Sequence, residues 1–449
     1  MATQLNLFEA TSNKKQGNGS GFIDPSFVNN RVKPIHRWVP WIAGFSSDFV
    51  KDIIDQNLSK KSVVLDPFAG VGTTLVEAYL SGHDVIGFEI NPYAALASRV
   101  KLTAPYKDVN LLKNAIKLLC KFFTKALAEG YVPKSKPPEG FKTRIAFFSP
   151  LVLRQVLIIQ DFISSLEDKQ ITEIFQVAFA ATMVSYSNYS YEPSLGTRGA
   201  VGRDNVEDFP VLEKLQGKLE EMAHDMKQIV RRLPTRKPKT QIVNDSFFNC
   251  ENYVRAGAVD LCITSPPYLN NYHYIRNTRP QLYWLGLVNK PEDTQYLEQN
   301  NFGKFWQTVR ELDDVPLSFP DPPLNLVNQL MQLRSVKQDR GIYGGKGWAN
   351  YAASYFNDCY RFANCLKYSL KLGAKAFVVV GNSILQGVMI PTDHYLGEIA
   401  EKTGLRLADI QVSRHTRVGN SIIQSEVRVE KAQDDHRLYE SIIHFTKVR

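Results

Sequence analysis

The chain has 449 residues, 44% of them hydrophobic and 22% charged, with a formal net charge of +9. That length calls for two to three domains or one large domain with insertions, and the composition is that of an ordinary globular protein. No apolar run approaches the roughly 18 residues that span a bilayer, and the five scattered cysteines show neither CxxC nor zinc-ligand spacing, which excludes a zinc-finger scaffold and suits a reducing compartment.

Residues 1–30 have no basic region followed by an apolar core, and read as a flexible arm without a secretory signal. The stretch 46–57, "SSDFVKDIIDQN", predicts a helix capped by Ser46 or Ser47, with Phe49, Ile53 and Ile54 on one face. "KSVVLDPFAGVGTT" then predicts a short strand, a glycine turn and a helix starting near Thr73 and ending at Gly82. "HDVIGFEINP" is a second strand that closes in an acid, so the chain opens as a doubly wound α/β sheet.

The rhythm stops there. Amphipathic runs at 109–128, 149–166, 170–184 and 211–232 predict a mostly helical insertion over 101–240, interrupted by "YVPKSKPPEG" and "RRLPTRKPKT". Charge gathers in the same region: residues 100–145 carry ten Lys/Arg against three Asp/Glu. Lys113, Lys117, Lys121 and Lys125 would form one helical stripe opposite Leu112, Leu119, Phe122 and Phe123, either a solvated face or one that tracks phosphates. Strands return in "TQIVNDSFF" and "AVDLCITSPPY". The segment 269–350 reads as irregular, a helix is expected at 350–372, and "AKAFVVVGNS" reads as a central strand. A helix at 392–403 and strands at 405–413 and 441–448 complete the pattern.

Two motifs carry chemistry. Asp66-Pro67-Phe68-Ala69-Gly70-Val71-Gly72-Thr73-Thr74 joins a strand to a helix, where glycines let the backbone pass close to a ligand and point N–H groups at it. It has neither the phosphate-loop GxxxxGK[ST] nor the dinucleotide GxGxxG pattern. Glu89 closes the next strand nineteen residues after Gly70, where an acid can accept both hydroxyls of a ribose. Loop and acid together specify an adenosine-type cofactor without saying which. The second motif, Thr264-Ser265-Pro266-Pro267-Tyr268, ends an apolar strand in a small hydroxyl, two stiff residues that cannot extend a ladder, and an aromatic ring.

DPFAGVGTT resembles the S-adenosylmethionine loop of the class I methyltransferases, in the form found in DNA amino-methyltransferases, and TSPPY resembles their catalytic tetrapeptide SPPY. The resemblance covers roughly 30–100 and 240–449. It implies a seven-stranded, mostly parallel sheet with a cofactor-binding half at 31–100 and a catalytic half at 241–449. It implies that Phe68, Ala69, Gly70, Gly72, Thr73 and Thr74 surround the methionine part of S-adenosylmethionine beside Asp66. Glu89 would hold the ribose, with Ile90, Asn91, Asp245 and Ser246 near the adenine. "IHRWVPW" (35–41) loosely resembles the family's methionine-side element, through His36, Trp38 and Pro40.

An exocyclic amine is a poor nucleophile until its lone pair is localised on nitrogen, which acceptors placed around the NH₂ achieve. The tetrapeptide implies that role for the Ser265 hydroxyl and the Pro266 carbonyl, stiffness from Pro266 and Pro267, and a stacking face from Tyr268. A base in a duplex must be flipped out to reach them. Ser in the first position, rather than Asp or Asn, points to cytosine N4 in double-stranded DNA. Adenine N6, or guanine N2 in RNA, is the alternative, and a cofactor-fold module that only binds nucleic acid is a third. The resemblance further implies a cytoplasmic, nucleoid-associated enzyme without a metal, paired with a separately encoded restriction endonuclease. Candidates for DNA contact are Arg198 and Arg203 in the insertion, and Tyr272, Arg276 and Arg279 after the tetrapeptide, within a DNA-contacting segment 269–350. A cofactor loop first and a tetrapeptide second resembles the alpha arrangement, in which the gap reads the target. Here, however, the third strand follows the gap.

Overall fold

Short apolar runs become strands because each is buried on both faces, and the helices between them cover those faces. The computed structural model describes residues 30–41, 44–191, 194–269, 273–416 and 438–448; the arm at 1–29 and Tyr272 lie outside the described residues. In chain order the strands are β1 (Val63–Asp66), β2 (Asp84–Phe88), a hairpin of β3 (Tyr189–Tyr191) and β4 (Leu195–Thr197), and β5 (Thr240–Val243). After these come β6 (Val259–Thr264), β7 (Leu370–Gly381), a second hairpin of β8 (Ser383–Leu385) and β9 (Val388–Ile390), β10 (Leu405–Thr416) and β11 (Leu438–Lys447).

Seven of them form one sheet in the order β5-β2-β1-β6-β7-β11-β10. All pairings are parallel except those of β11, which runs antiparallel to both β7 and β10. This is the doubly wound, mostly parallel seven-stranded sheet that the sequence resemblance implies. The chain reverses its winding between β1 and β6, which pair through Val64↔Leu261 and Leu65↔Cys262. Open α/β sheets bind ligands beyond the carboxyl ends of strands at such a switch point, and here those ends are Asp66 and Thr264.

The helices of the first half are α1 (Ser47–Asn57), α2 (Thr73–Leu80) and α3 (Pro92–Thr103). In α1, Ser46 Oγ accepts the Asp48 amide and Phe49, Ile53 and Ile54 are buried. α3 was not anticipated, although Asn91 caps it through the Tyr93 amide and Pro92 occupies its first turn. The insertion supplies α4 (Val109–Ala128), α5 (Pro150–Ser164), α6 (Lys169–Thr182) and α7 (Val211–Ile229), close to the expected runs. Their apolar faces share one continuous core with α1–α3 and one face of the sheet. Lys113, Lys117, Lys121 and Lys125 are all exposed on α4.

The segment 269–350 is more ordered than its composition suggested. It contains helices Pro291–Asn300 and Leu324–Ser335, and the latter buries Leu326, Leu330 and Leu333 at helical spacing. The following helix, Gly345–Ser369, covers the other face of the sheet, where Phe356, Phe362, Cys262 and Val378 meet. No described helix is long and apolar enough to cross a membrane.

Candidate active site

At the end of β1 the chain turns sharply into α2. Gly70 and Gly72 take φ of 50° and 85°, left-handed values that favour glycine. Gly72 caps α2, and a Cβ there would lie 2.9 Å from Ser98 Oγ. Ser98 in turn donates its hydroxyl to the Gly70 carbonyl at 2.8 Å. The loop is therefore held against α3, and its Phe68, Ala69 and Gly72 amides are bonded within the protein, to Asp66 Oδ1 and to the Phe88 and Ala69 carbonyls.

Glu89, just past β2, binds this loop directly. Its Oε2 accepts the Gly70 amide and its Oε1 the Asn91 amide, each at 2.8 Å. Burial pushes its carboxyl up to about 7 against the pull of those two amides, and the Asp66 charge adds to the rise. Asn244 Nδ2 ties the neighbouring strand end to the Glu89 carbonyl at 2.8 Å. Asp66 is 1% exposed; its Oδ1 accepts Thr264 Oγ1 at 2.7 Å and the Phe68 amide at 3.1 Å. Burial pushes this carboxyl up to about 6, opposed by hydrogen bonds from Thr264, Thr74 and the Phe68 amide. The Thr264–Asp66 bond joins the two motifs: the residue before Ser265 is fastened to the residue that opens the glycine loop.

One cleft runs between them, about 830 Å³ including its open mouth, within the size range of small-ligand sites. Asp66, Phe68, Ala69, Gly70, Thr73, Glu89, Ile90, Asn91, Asp245, Ser246, Ser265 and Pro267 all line it. The fold thus brings the expected loop, ribose acid, adenine-side residues and catalytic serine to a single cavity. Its composition fits adenosyl chemistry: Phe68, Ile90, Phe247 and Phe302 supply apolar faces, Glu89 and Asp245 supply acceptors, and the glycine loop leaves the backbone bare.

Four expected residues do not line it. Gly72 and Thr74 act behind the surface; Thr74 Oγ1 bonds the Ile263 carbonyl at 3.3 Å, linking α2 to β6. Pro266 is buried. Tyr268 packs against Gly381 of β7, so close that a Cβ on Gly381 would lie 3.0 Å from its ring, and its hydroxyl bonds Ser265. Burial holds that hydroxyl protonated. Tyr355 donates its hydroxyl to the Pro267 carbonyl at 3.0 Å and so fixes the turn.

The methionine-side expectation for His36, Trp38 and Pro40 is corrected. His36 Nε2 pairs with Glu77 at 2.8 Å, Trp38 Nε1 bonds Asp225 of α7 at 3.0 Å, and Pro40 is exposed. The last residue of the same stretch, Trp41, lines the cleft and stacks on Tyr274, ring centroids 5.7 Å apart and 16° from parallel. Tyr274, within the segment expected to contact DNA, forms cleft wall. Asn300, Asn301 and Phe302, at the end of helix Pro291–Asn300, also line the cleft; nothing in their sequence marks them as site residues.

The described candidate DNA residues, Arg198, Arg203, Arg276 and Arg279, do not line the cleft. Arg198 donates to the Asp204 carbonyl at 2.8 Å within its own loop, and Arg203 is exposed. Arg276 is exposed, whereas Arg279 sits over the rings of Phe141 and Tyr283 at 5.9 and 5.8 Å.

Comparison with known proteins agrees with this geometry. A family described as DNA methylase, of the N6/N4 type, matches residues 10–99. The chain is 25% identical over 441 residues to the type II methyltransferase M.BsoBI of Geobacillus stearothermophilus, covering 88% of this chain and 83% of that protein. It is 23% identical over 399 residues to the type II methyltransferase M.MvaI of Kocuria varians, covering 84% and 83%. It is 24% identical over 423 residues to the type II methyltransferase M.AvaI of a Nostoc species, covering 86% and 82%. These likenesses support an N4/N6 DNA methyltransferase family for this chain and leave the base undivided.

Proposed function

We propose that this protein is a DNA methyltransferase that transfers the methyl group of S-adenosylmethionine to the exocyclic N4 amine of a cytosine flipped out of duplex DNA. The observation that carries the reading is the shared cleft: the Gly70 turn, Glu89 and the Ser265 hydroxyl face one cavity, with Thr264 bonded to Asp66 between them. The type II names of the relatives support DNA as substrate and a cognate restriction endonuclease as partner. Serine in the first position of the tetrapeptide supports cytosine; the matched family spans both N4 and N6, so adenine is the second reading.

When bound, S-adenosylmethionine supplies an electrophilic methyl carbon on a sulfonium. This chain's residues do the rest. Glu89 accepts from the ribose hydroxyls while its ionised form also anchors the glycine loop. Ser265 Oγ, hydrogen-bonded with the Tyr268 hydroxyl, offers a lone pair to accept an N–H of the amine and so localise the nitrogen lone pair. Tyr355 and the two prolines hold that acceptor still. The N–C bond would form as the methyl–sulfur bond breaks, its electron pair returning to sulfur as a neutral thioether and the positive charge passing to the amine, which then releases its proton to water, so no strong base is required. Incubation with labelled cofactor and duplex DNA, followed by digestion to nucleosides, should yield N4-methylcytosine. Exclusive 6-methyladenine would overturn the base, and a preference for transfer RNA would overturn the substrate.

A further inference from the structure

Two adjacent residues after the tetrapeptide bond in opposite directions. Thr278 Oγ1 accepts Asn91 Nδ2 at 2.8 Å, and Asn91 is held through its amide by Glu89, which holds Gly70. Asn277 faces the insertion: its Oδ1 accepts the Leu195 amide at 2.7 Å and its carbonyl accepts the Tyr191 hydroxyl at 2.9 Å. Gln281 Nε2 adds a bond to the same hydroxyl at 3.2 Å. Hydrogen bonds and two covalently linked residues thus run without a break from the glycine loop to the hairpin β3–β4, whose last strand leads directly into Arg198.

The junction is buried: Asn277 is 1% exposed, Gln281 5% and Ser190 8%. Among the described residues Asn277 Nδ2, Gln281 Oε1 and Ser190 Oγ have no hydrogen-bond partner. Apolar side chains would hold two elements together without that desolvation cost. A polar junction with spare donors and acceptors fixes an orientation and retains a second set of bonds for the hairpin to adopt.

We propose that Asn277 and Thr278 are positioning residues that tie the hairpin to the cofactor cleft, so that cofactor binding orders the hairpin for its encounter with DNA. The proposal rests on the methyltransferase reading. The test is residue-resolved hydrogen exchange on the full chain with and without S-adenosylhomocysteine, with calorimetry reporting whether that probe binds. In the wild type, binding should slow exchange of the Leu195 amide by about fivefold or more, the lower end of ordinary coupling between sites. Asn277→Ala should abolish that response while leaving the probe's Kd within about threefold, and should raise KM for DNA more than it lowers kcat. Tyr191→Phe, which removes one hydroxyl and keeps the ring, should weaken the response in the same direction and carries the test where Asn277→Ala does not fold. Binding with no change at the hairpin overturns the coupling alone. Absence of binding overturns the methyltransferase reading and the coupling with it.

Discussion

Asp66 is a charged group in a place that disfavours charge. Its folded pKa, about 6, lies above the ordinary carboxylate value because burial outweighs three hydrogen bonds. A carboxyl that binds its proton more tightly when folded makes the fold most stable below the unfolded pKa. That stability declines as pH rises from about 4 to about 6 and stays lower above it. Asp66→Asn keeps the Oδ1 acceptor for Thr264 and Phe68 and removes the buried charge. Urea unfolding without cofactor should therefore show the variant more stable than wild type at pH 7.5 by roughly 1–3 kcal/mol, with a flatter profile between pH 4 and 6. An unchanged slope would remove Asp66 as its source. Glu89, raised to about 7, adds a decline of the same sign at higher pH. Both acids therefore cost the fold stability at pH above about 7, a common cost of functional sites.

The glycine loop is the element whose shape is least replaceable. Gly72 has φ of 85°, and any Cβ there meets Ser98 Oγ at 2.9 Å; at Gly70 a Cβ meets only the Trp41 ring, at 3.3 Å. Gly72→Ala therefore combines backbone strain with a clash against the residue that buttresses the loop. It should cost about 1–3 kcal/mol of stability and weaken cofactor binding about tenfold, equivalent to about 1.4 kcal/mol. Denaturant titration and calorimetry read the two effects separately. Undiminished affinity would mean that the loop reaches its shape without Gly72.

For the whole molecule the decisive contact lies outside the cleft lining. Asp225 on α7, 0% exposed, accepts the Ile35 amide at 2.9 Å, Trp38 Nε1 at 3.0 Å, and Arg37 through Nε at 3.1 Å and Nη2 at 2.5 Å. Ile35, a β-branched residue, has φ of 67°, a strained value that this bond helps to hold. The insertion thereby fixes the segment that delivers Trp41 to the cleft. Asp225→Ala leaves the part-buried Arg37 guanidinium and the buried Trp38 indole N–H unmatched. It should cost about 3–5 kcal/mol in urea unfolding, whereas Trp38→Phe should cost about 1 kcal/mol. A loss below about 1 kcal/mol for Asp225→Ala would show that packing alone seats the insertion.

What the sequence determined by itself is whatever depends on neighbours along the chain. The strand-turn-helix of DPFAGVGTT, the acid nineteen residues on, the strand that stops at two prolines and the helices of the insertion all follow from local period, capping and turn chemistry. α3 was legible too, in Asn91 followed by Pro92, the cap and first-turn signals of a helix start. The tertiary structure alone decided which aromatic faces the cleft and which packs behind it. Trp38 and Trp41 lie three residues apart, yet one is clamped by Asp225 and the other stacks on Tyr274; Tyr268 turns to Gly381, and Phe302 arrives from a segment that read as irregular. The contacts of Trp38, Trp41 and Tyr268 join residues 113 to 233 apart along the chain, set by how helices seat on a twisted sheet, and no local pattern encodes them.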